Sequence, residues 1–124
     1  MRYPLMTLAY MGLLYYLSSL PQQRLAPAAW LPDKLLHGVG YAVLALLLYM
    51  SLRRTFRLHK RSAIVGSWLI ALAYGAVEEY RQGFVPGRHP SALDLLADAL
   101  GAGTLLLLLH FATEWKRGAK RESG

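Results

Sequence analysis

The sequence predicts an all-α protein, a four-helix transmembrane bundle, because it is rich in apolar residues and these form four long runs. Of the 124 residues, 55% are hydrophobic and 17% are charged, whereas an average soluble domain has about 25% charged residues. A helix needs about 20 mostly apolar residues to cross a bilayer. The four runs lie at residues 3–20, 35–52, 63–80 and 92–112.

Helix-breaking and capping residues mark the limits of the first two helices. Pro4 suits the first turn of helix one and Pro21 ends it, since proline is tolerated only at the start of a helix. Asp33 follows Pro32 and is a suitable N-cap for helix two. The basic cluster at 53–61 ends that helix.

Similar signals delimit helices three and four. Ser62 is a suitable cap for helix three, and glycines and prolines at 83–90 break the chain after it. Ser91 and Asp94 have the spacing of a capping box at the start of helix four. These limits predict a membrane domain at residues 1–113 and a basic cytoplasmic tail at residues 114–124.

The distribution of the basic residues predicts the orientation of the bundle. Arg2 precedes the first run, five cations fill residues 53–61, and four more follow residue 115, whereas the other two connections carry few. Positively charged connections remain in the cytoplasm. Both termini and the 53–61 connection are therefore predicted to be cytoplasmic, in a multi-pass protein of the cytoplasmic (inner) membrane. The connections at 21–33 and 82–91 are predicted to face outward.

Charge and composition also exclude several classes of function. The net charge of +7 is explained by topology, so the expected partner is membrane lipid and not nucleic acid. The chain has no cysteine, which excludes disulfides and thiolate metal sites. It also lacks a Ser-His-Asp arrangement, a phosphate-binding glycine loop and a dinucleotide fingerprint, and no cofactor is predicted.

Polar residues near the outward ends of three helices form the candidate site. Residues four apart share a helix face, so Asp33 and His37 lie together on helix two, and Asp94 and Asp98 on helix four. On helix three the corresponding face is predicted to carry Gly75, Glu79 and Gln82. Ionisable residues inside a membrane are costly and usually functional.

The 82–90 connection is predicted to cover this layer. Arg88 can fold back over the carboxylates, and its planar donor fork suits a carboxylate or phosphate. The candidate catalytic residues are His37, Glu79 and Asp98, with His37 or Glu79 as general base. The candidate ligand-binding residues are Asp33, Lys34, Gln82, Arg88 and Asp94.

Two motifs resemble those of the VanZ-like family of small integral membrane proteins. The first is Asp33-Lys34-x-x-His37-x-x-x-Tyr41. The second is Glu79-x-x-Gln82-x-Phe84-x-Pro86-Gly87-Arg88, followed by Ser91-x-x-Asp94-x-x-x-Asp98-x-x-Gly101. The family often has Asn at the position of Asp98. The resemblance implies a four-span protein of the cell envelope, associated with resistance to the glycopeptide antibiotic teicoplanin.

The residues leave several functions open, including whether any reaction is catalysed. One is an outward-facing site for a cell-envelope molecule, a lipid head group or a glycopeptide-related small molecule. Another is a subunit of a proton-coupled transporter, which would need a homo-oligomer because four spans rarely enclose a pathway. A third is a divalent metal site made by Glu79, Asp94, Asp98 and His37, although no compact ligand motif supports it. The fourth is a purely structural polar network, in which Asp33 and Asp94 cap helices and Glu78 pairs with Arg81.

Overall fold

Four α-helices and one π-helical turn make up nearly all of the chain that the structure describes. The computed structural model describes residues 2–18, 30–84 and 92–123, without the side chains of residues 18, 30–34, 36 and 123. The elements are α1 (Arg2–Ser18), α2 (Trp30–Met50), the π turn (Ser51–Thr55), α3 (Lys60–Gln82) and α4 (Ala92–Ser123). These ranges contain no strand, so the predicted all-α class with four helices is confirmed for them.

Some helix limits differ from those predicted. Helix α2 begins at Trp30, so Asp33 is the fourth helical residue and not the N-cap. The N-cap of α3 is His59, which makes no side-chain capping bond, so Ser62 lies within the first turn. Ser91 lies outside the described residues. Capping signals placed these helix starts within about one turn, which is their usual precision.

The basic tail continues α4 as far as Ser123. The helix runs to Ser123, about eleven residues beyond the predicted apolar run. Its first turn carries Glu114, which lies 2.8 Å from Lys60 Nζ and 3.7 Å from Arg117 Nη1. The tail is also rich in Glu, Lys and Arg, which have high helix propensities.

Helix α2 is the centre of the bundle and contacts the other three helices. Its most extensive interface is with α4, and these two helices run in the same direction, as contacts between their first halves show. Helices α1 and α3 run antiparallel to α2. Thr7 at the start of α1 contacts Ser51 after α2, and Gly75 late in α3 contacts Tyr41 in α2.

The apolar core combines large side chains of α2 with small residues of its neighbours. Leu44 and Ala45 are completely buried, and Ala63, Ala71 and Ala102 approach them from α3 and α4. Small residues let helix backbones approach closely. The closest approach is between Gly38 and Gly101, where a Cβ built on Gly101 would overlap the Gly38 backbone.

The end of α2 is tied to α1 by buried hydroxyl groups. Ser51 Oγ donates to the Leu47 carbonyl at 2.9 Å, and Thr7 Oγ1 lies 2.9 Å from Ser51 Oγ. The π turn then leads into a tight connection in which Arg57 has a φ of 58°. This left-handed conformation is uncommon for a residue with a Cβ, and it reverses the chain into α3.

Among the described residues, one helix is long and apolar enough to cross a membrane. It spans Ala92–Glu122, and 22% of its most apolar window is buried within the bundle. A single helix of this kind also occurs in the cores of soluble proteins, where it is mostly buried. Length and composition therefore give one possible span, compared with the four that the sequence predicts.

Candidate functional site

A half-buried histidine between two buried aspartates forms the centre of the candidate site. His37 Nδ1 lies 2.9 Å from Asp98 Oδ1, and His37 Nε2 lies 3.9 Å from Asp94 Oδ2. The side chain of His37 is 17% exposed, and those of Asp94 and Asp98 are 9% and 2% exposed. Helix periodicity explains the arrangement, because Asp94 and Asp98 are one turn apart and so face the same neighbour.

The two nitrogen atoms of His37 have different roles in this geometry. An ionised Asp98 accepts a hydrogen bond from Nδ1–H, which fixes the tautomer and the ring orientation. The distance from Nε2 to Asp94 is an electrostatic contact and exceeds that of a hydrogen bond. A proton taken up at Nε2 would give an imidazolium between two carboxylates. His37 can therefore accept a proton between the two carboxylates.

The backbone contact between α2 and α4 positions this group. Gly38 follows His37 directly, and Gly101 lies three residues after Asp98. Because the Gly38 and Gly101 backbones touch, the first halves of the two helices are closer than larger residues would allow. The hydrogen bond between His37 and Asp98 depends on this spacing.

A second polar group connects α3 to α1. Glu78 is 5% exposed and accepts a hydrogen bond from Arg81 Nη2 at 2.7 Å. The Arg81 guanidinium lies 3.9 Å from the centre of the Tyr15 ring and donates to the Tyr15 carbonyl at 3.2 Å. This confirms the predicted pairing of Glu78 with Arg81, and it adds a cation–π contact to α1.

Tyr41 lies between the two polar groups. It is 5% exposed, and its ring centroid is 6.4 Å from that of Tyr74. The ring packs on Gly75, where an added Cβ would lie 3.1 Å from Asp98 Oδ2 and 3.3 Å from Tyr41. Tyr41 is within electrostatic range of Asp98, Glu78 and Glu79. The first halves of α2 and α4 and the end of α3 thus contribute to one polar layer, as the sequence predicts.

The structure places the predicted site residues unequally. It brings His37, Asp94 and Asp98 together, and it buries Gln82, which is 3% exposed. Glu79 is partly exposed at the edge of this layer. Arg88 lies outside the described residues, and so do the side chains of Asp33 and Lys34.

The sequence predicts Glu79 on the polar face of α3, whereas the residue that the structure buries there is Glu78. The buried face of α3 consists of residues mostly four apart: Ala63, Ser67, Ala71, Gly75, Glu78 and Gln82. Glu78 and Glu79 are both near this face, about 100° apart around the helix. The run of small residues at 63, 67, 71 and 75 was the available signal, and it defines the face to which Glu78 belongs.

No group of three or more His, Asp or Glu side chains within the described ranges is arranged to hold a metal ion. The geometry of His37 gives a reason, since its two nitrogen atoms face different carboxylates. One ion cannot bind to both sides of an imidazole ring. The structure gives the metal hypothesis no support in this part of the chain.

Comparisons with known proteins gave no relatives. No protein-family model matches the chain, and no curated protein or solved structure matches it significantly.

Proposed function

We propose that the chain is a small multi-pass protein of the cytoplasmic membrane, of the VanZ-like type, with an outward-facing polar site for a cell-envelope or lipid head-group ligand. In this proposal α1 to α4 all cross the bilayer, and both termini are cytoplasmic. The site lies at the outer ends of α2, α3 and α4. The resemblance of its motifs to the VanZ-like family suggests a role in glycopeptide resistance.

The distribution of polar and apolar side chains supports membrane insertion. Large aliphatic side chains point outward on every helix, for example Leu8 (64% exposed), Val39 (62%), Val77 (61%) and Leu108 (63%). Soluble monomers rarely expose apolar patches of this extent. Conversely, the buried side chains include seven polar or charged ones: Thr7, Ser51, Ser67, Glu78, Gln82, Asp94 and Asp98. Lipid would solvate the exposed aliphatic side chains, and the interior of the bundle shields the buried polar ones from it.

The observation that carries the site is the placement of His37 between Asp94 and Asp98. Taking a charged group out of water costs several kcal/mol per ion even after the protein relaxes around it, so such groups are expensive to place inside a bundle. Intramembrane ionisable residues therefore suggest function. In this site His37 Nε2 and the carboxylates would bind hydroxyl or amine groups of the ligand, and His37 would act as the general base if a reaction occurs.

The test compares resistance with folding in matched variants. The wild type and His37→Gln would be produced in a teicoplanin-sensitive bacterium, with His110→Gln as the control, because His110 lies near the opposite end of α4. Teicoplanin susceptibility and the amount of inserted protein would both be measured. We expect resistance in cells with the wild type and the control, and loss of resistance with His37→Gln at equal protein amounts. Equal resistance in all three would contradict the proposal.

A structural role is the second candidate, and the contacts of Glu78 and Arg81 favour it for their part of the layer. These residues link α3 to α1 through Tyr15. If the whole layer is a clamp, Glu79→Gln, at its partly exposed edge, would leave resistance unchanged, and His37→Gln would lower the unfolding temperature sharply. If the layer binds a ligand, Glu79→Gln would reduce resistance with little loss of stability, and Glu114→Gln would be its matched control.

A further inference from the structure

One end of the bundle, termed the basic end, carries most of the positive charge of the protein. It comprises the start of α1, the π turn, the connection to α3, the first turn of α3 and the last turns of α4. Its ten cations are Arg2, Arg53, Arg54, Arg57, Lys60, Arg61, Lys116, Arg117, Lys120 and Arg121. With two carboxylates, Glu114 and Glu122, the net charge is +8, whereas the rest of the chain has four cations and five carboxylates.

Specific contacts gather these cations into one surface. Lys60 Nζ donates to the His110 carbonyl at 3.3 Å and to Glu114 Oε1 at 2.8 Å, which joins the start of α3 to the end of α4. On the other side, Thr7 contacts Ser51 and so brings the start of α1 to the π turn. The side chains of Arg54, Arg57 and Arg61 are exposed on this surface.

Exposed aromatic side chains accompany the cations. Phe56 in the connection is 60% exposed, and on α4 Phe111 and Trp115 are 64% and 80% exposed. The exposed leucines Leu107 and Leu108 lie one turn before Phe111. The surface therefore changes within about two helical turns from aliphatic, through aromatic, to strongly basic. Aromatic side chains between an apolar band and charged residues are typical of the membrane–water interface.

We infer that the basic end binds the head groups of anionic phospholipids in the leaflet that it faces. A phospholipid matches both parts of the surface, because its phosphate pairs with arginine and its acyl chains contact the adjacent leucines. Nucleic acid and acidic proteins match the charge alone. The inference rests on the membrane placement in the proposed function, but it is independent of the polar site around His37.

Trp115 provides a reporter for the test. In a variant with Trp30→Phe and Trp68→Phe, it is the single tryptophan, and it is adjacent to Lys116. The variant would be reconstituted in bilayers containing brominated phosphatidylglycerol or brominated phosphatidylcholine, and the quenching of its fluorescence would give relative lipid affinities. Each cation near an anionic surface contributes about a fivefold preference. We expect a preference of at least about fivefold for phosphatidylglycerol, weakened by high salt.

Charge-removing and charge-retaining variants then test the cations themselves. The triple change Arg54→Gln, Arg57→Gln and Arg61→Gln should lower the preference at least about fivefold relative to the unchanged cations, and the same three positions changed to Lys should retain it. Arg24→Gln should also retain it, since Arg24 is not one of the ten cations of the basic end. A preference that the glutamine changes leave undiminished would overturn the inference.

The remaining outcomes separate this inference from its alternatives. Equal quenching by both lipids would refute anionic-lipid binding and leave the membrane placement intact, whereas no quenching by either lipid would refute the placement as well. Soluble glycerol phosphate should not compete at equal ionic strength, and competition would identify a free phosphate ligand instead of a lipid surface. Competition by duplex DNA at matched salt would identify a nucleic-acid surface, which also contradicts the inference.

Discussion

The contact between Gly38 and Gly101 predicts that Gly101→Ala will damage the bundle and the candidate site together. A Cβ at residue 101 would overlap the Gly38 carbonyl oxygen and would lie 2.7 Å from both Gly38 C and Gly38 Cα, where ordinary contact begins at 3.4 Å. All three atoms belong to the backbone, so no side-chain rotation can relieve the overlap. Helices α2 and α4 must then separate by at least about 0.7 Å at this level.

That separation is enough to break the central hydrogen bond. If it is transmitted to the neighbouring turn, the distance from His37 Nδ1 to Asp98 Oδ1 increases from 2.9 Å to about 3.6 Å, beyond hydrogen-bonding range. Overpacking costs about 1–3 kcal/mol, and loss of a bond to a charged group adds about 1.5–3 kcal/mol. Replacing glycine with alanine in a helix returns about 1 kcal/mol. We therefore expect a net loss of about 1.5–5 kcal/mol.

Other glycines of the chain supply graded controls for this measurement. A Cβ at Gly12 or Gly118 meets nothing within 4 Å, and one at Gly103 makes an ordinary contact with Trp68 at 3.4 Å. Alanine at these positions should be neutral or slightly stabilising. Unfolding of the purified variants in detergent, followed by circular dichroism, ranks them by stability. If Gly101→Ala is as stable as Gly12→Ala, the close contact between α2 and α4 does not exist.

Three further predictions concern single contacts, and all can be measured as changes in detergent unfolding. Thr7→Val and Ser51→Ala should show a coupling energy of about 1 kcal/mol in a double-mutant cycle, because their buried hydroxyl groups are 2.9 Å apart; additive effects would contradict this. Trp68→Phe should destabilise by about 0.5–1.5 kcal/mol, since its indole N–H donates to a carbonyl of α4 at 3.1 Å, and an unchanged midpoint would exclude the bond. Glu114→Gln should leave the unfolding midpoint unchanged, because the ion pair that it removes with Lys60 lies at the surface, where solvent screens it. A large shift of the midpoint would show that the pair is shielded from solvent.

The helices and the histidine–aspartate group could be predicted from the sequence because local periodicity determines them. Four apolar runs give four helices, and the i, i+4 spacing of Asp94 and Asp98 places both on one face. The first halves of α2 and α4 meet the end of α3 because short connections make neighbouring helices antiparallel. These conclusions need no knowledge of how closely the helices pack.

Other features depend on packing, which periodicity does not specify. Glu78 and Glu79 are both close to the buried face of α3, and the rotation of the helix against Gly75 and Tyr41 selects Glu78. The contact between Gly38 and Gly101 could not be distinguished from pairings with the nearby Gly40. In each case a contact between distant segments decides the outcome.

Cysteine labelling tests the central claim, a membrane-spanning bundle whose polar layer faces outward, most directly. The chain has no natural cysteine, so a single cysteine at Gln22, Arg88 or Lys60 is the only reactive thiol. With a membrane-impermeant maleimide on intact cells, we predict labelling at positions 22 and 88, and labelling at position 60 only after the membrane is permeabilised. Labelling at position 60 in intact cells, or no labelling at 22 and 88, would contradict the proposed topology and the outward position of the site.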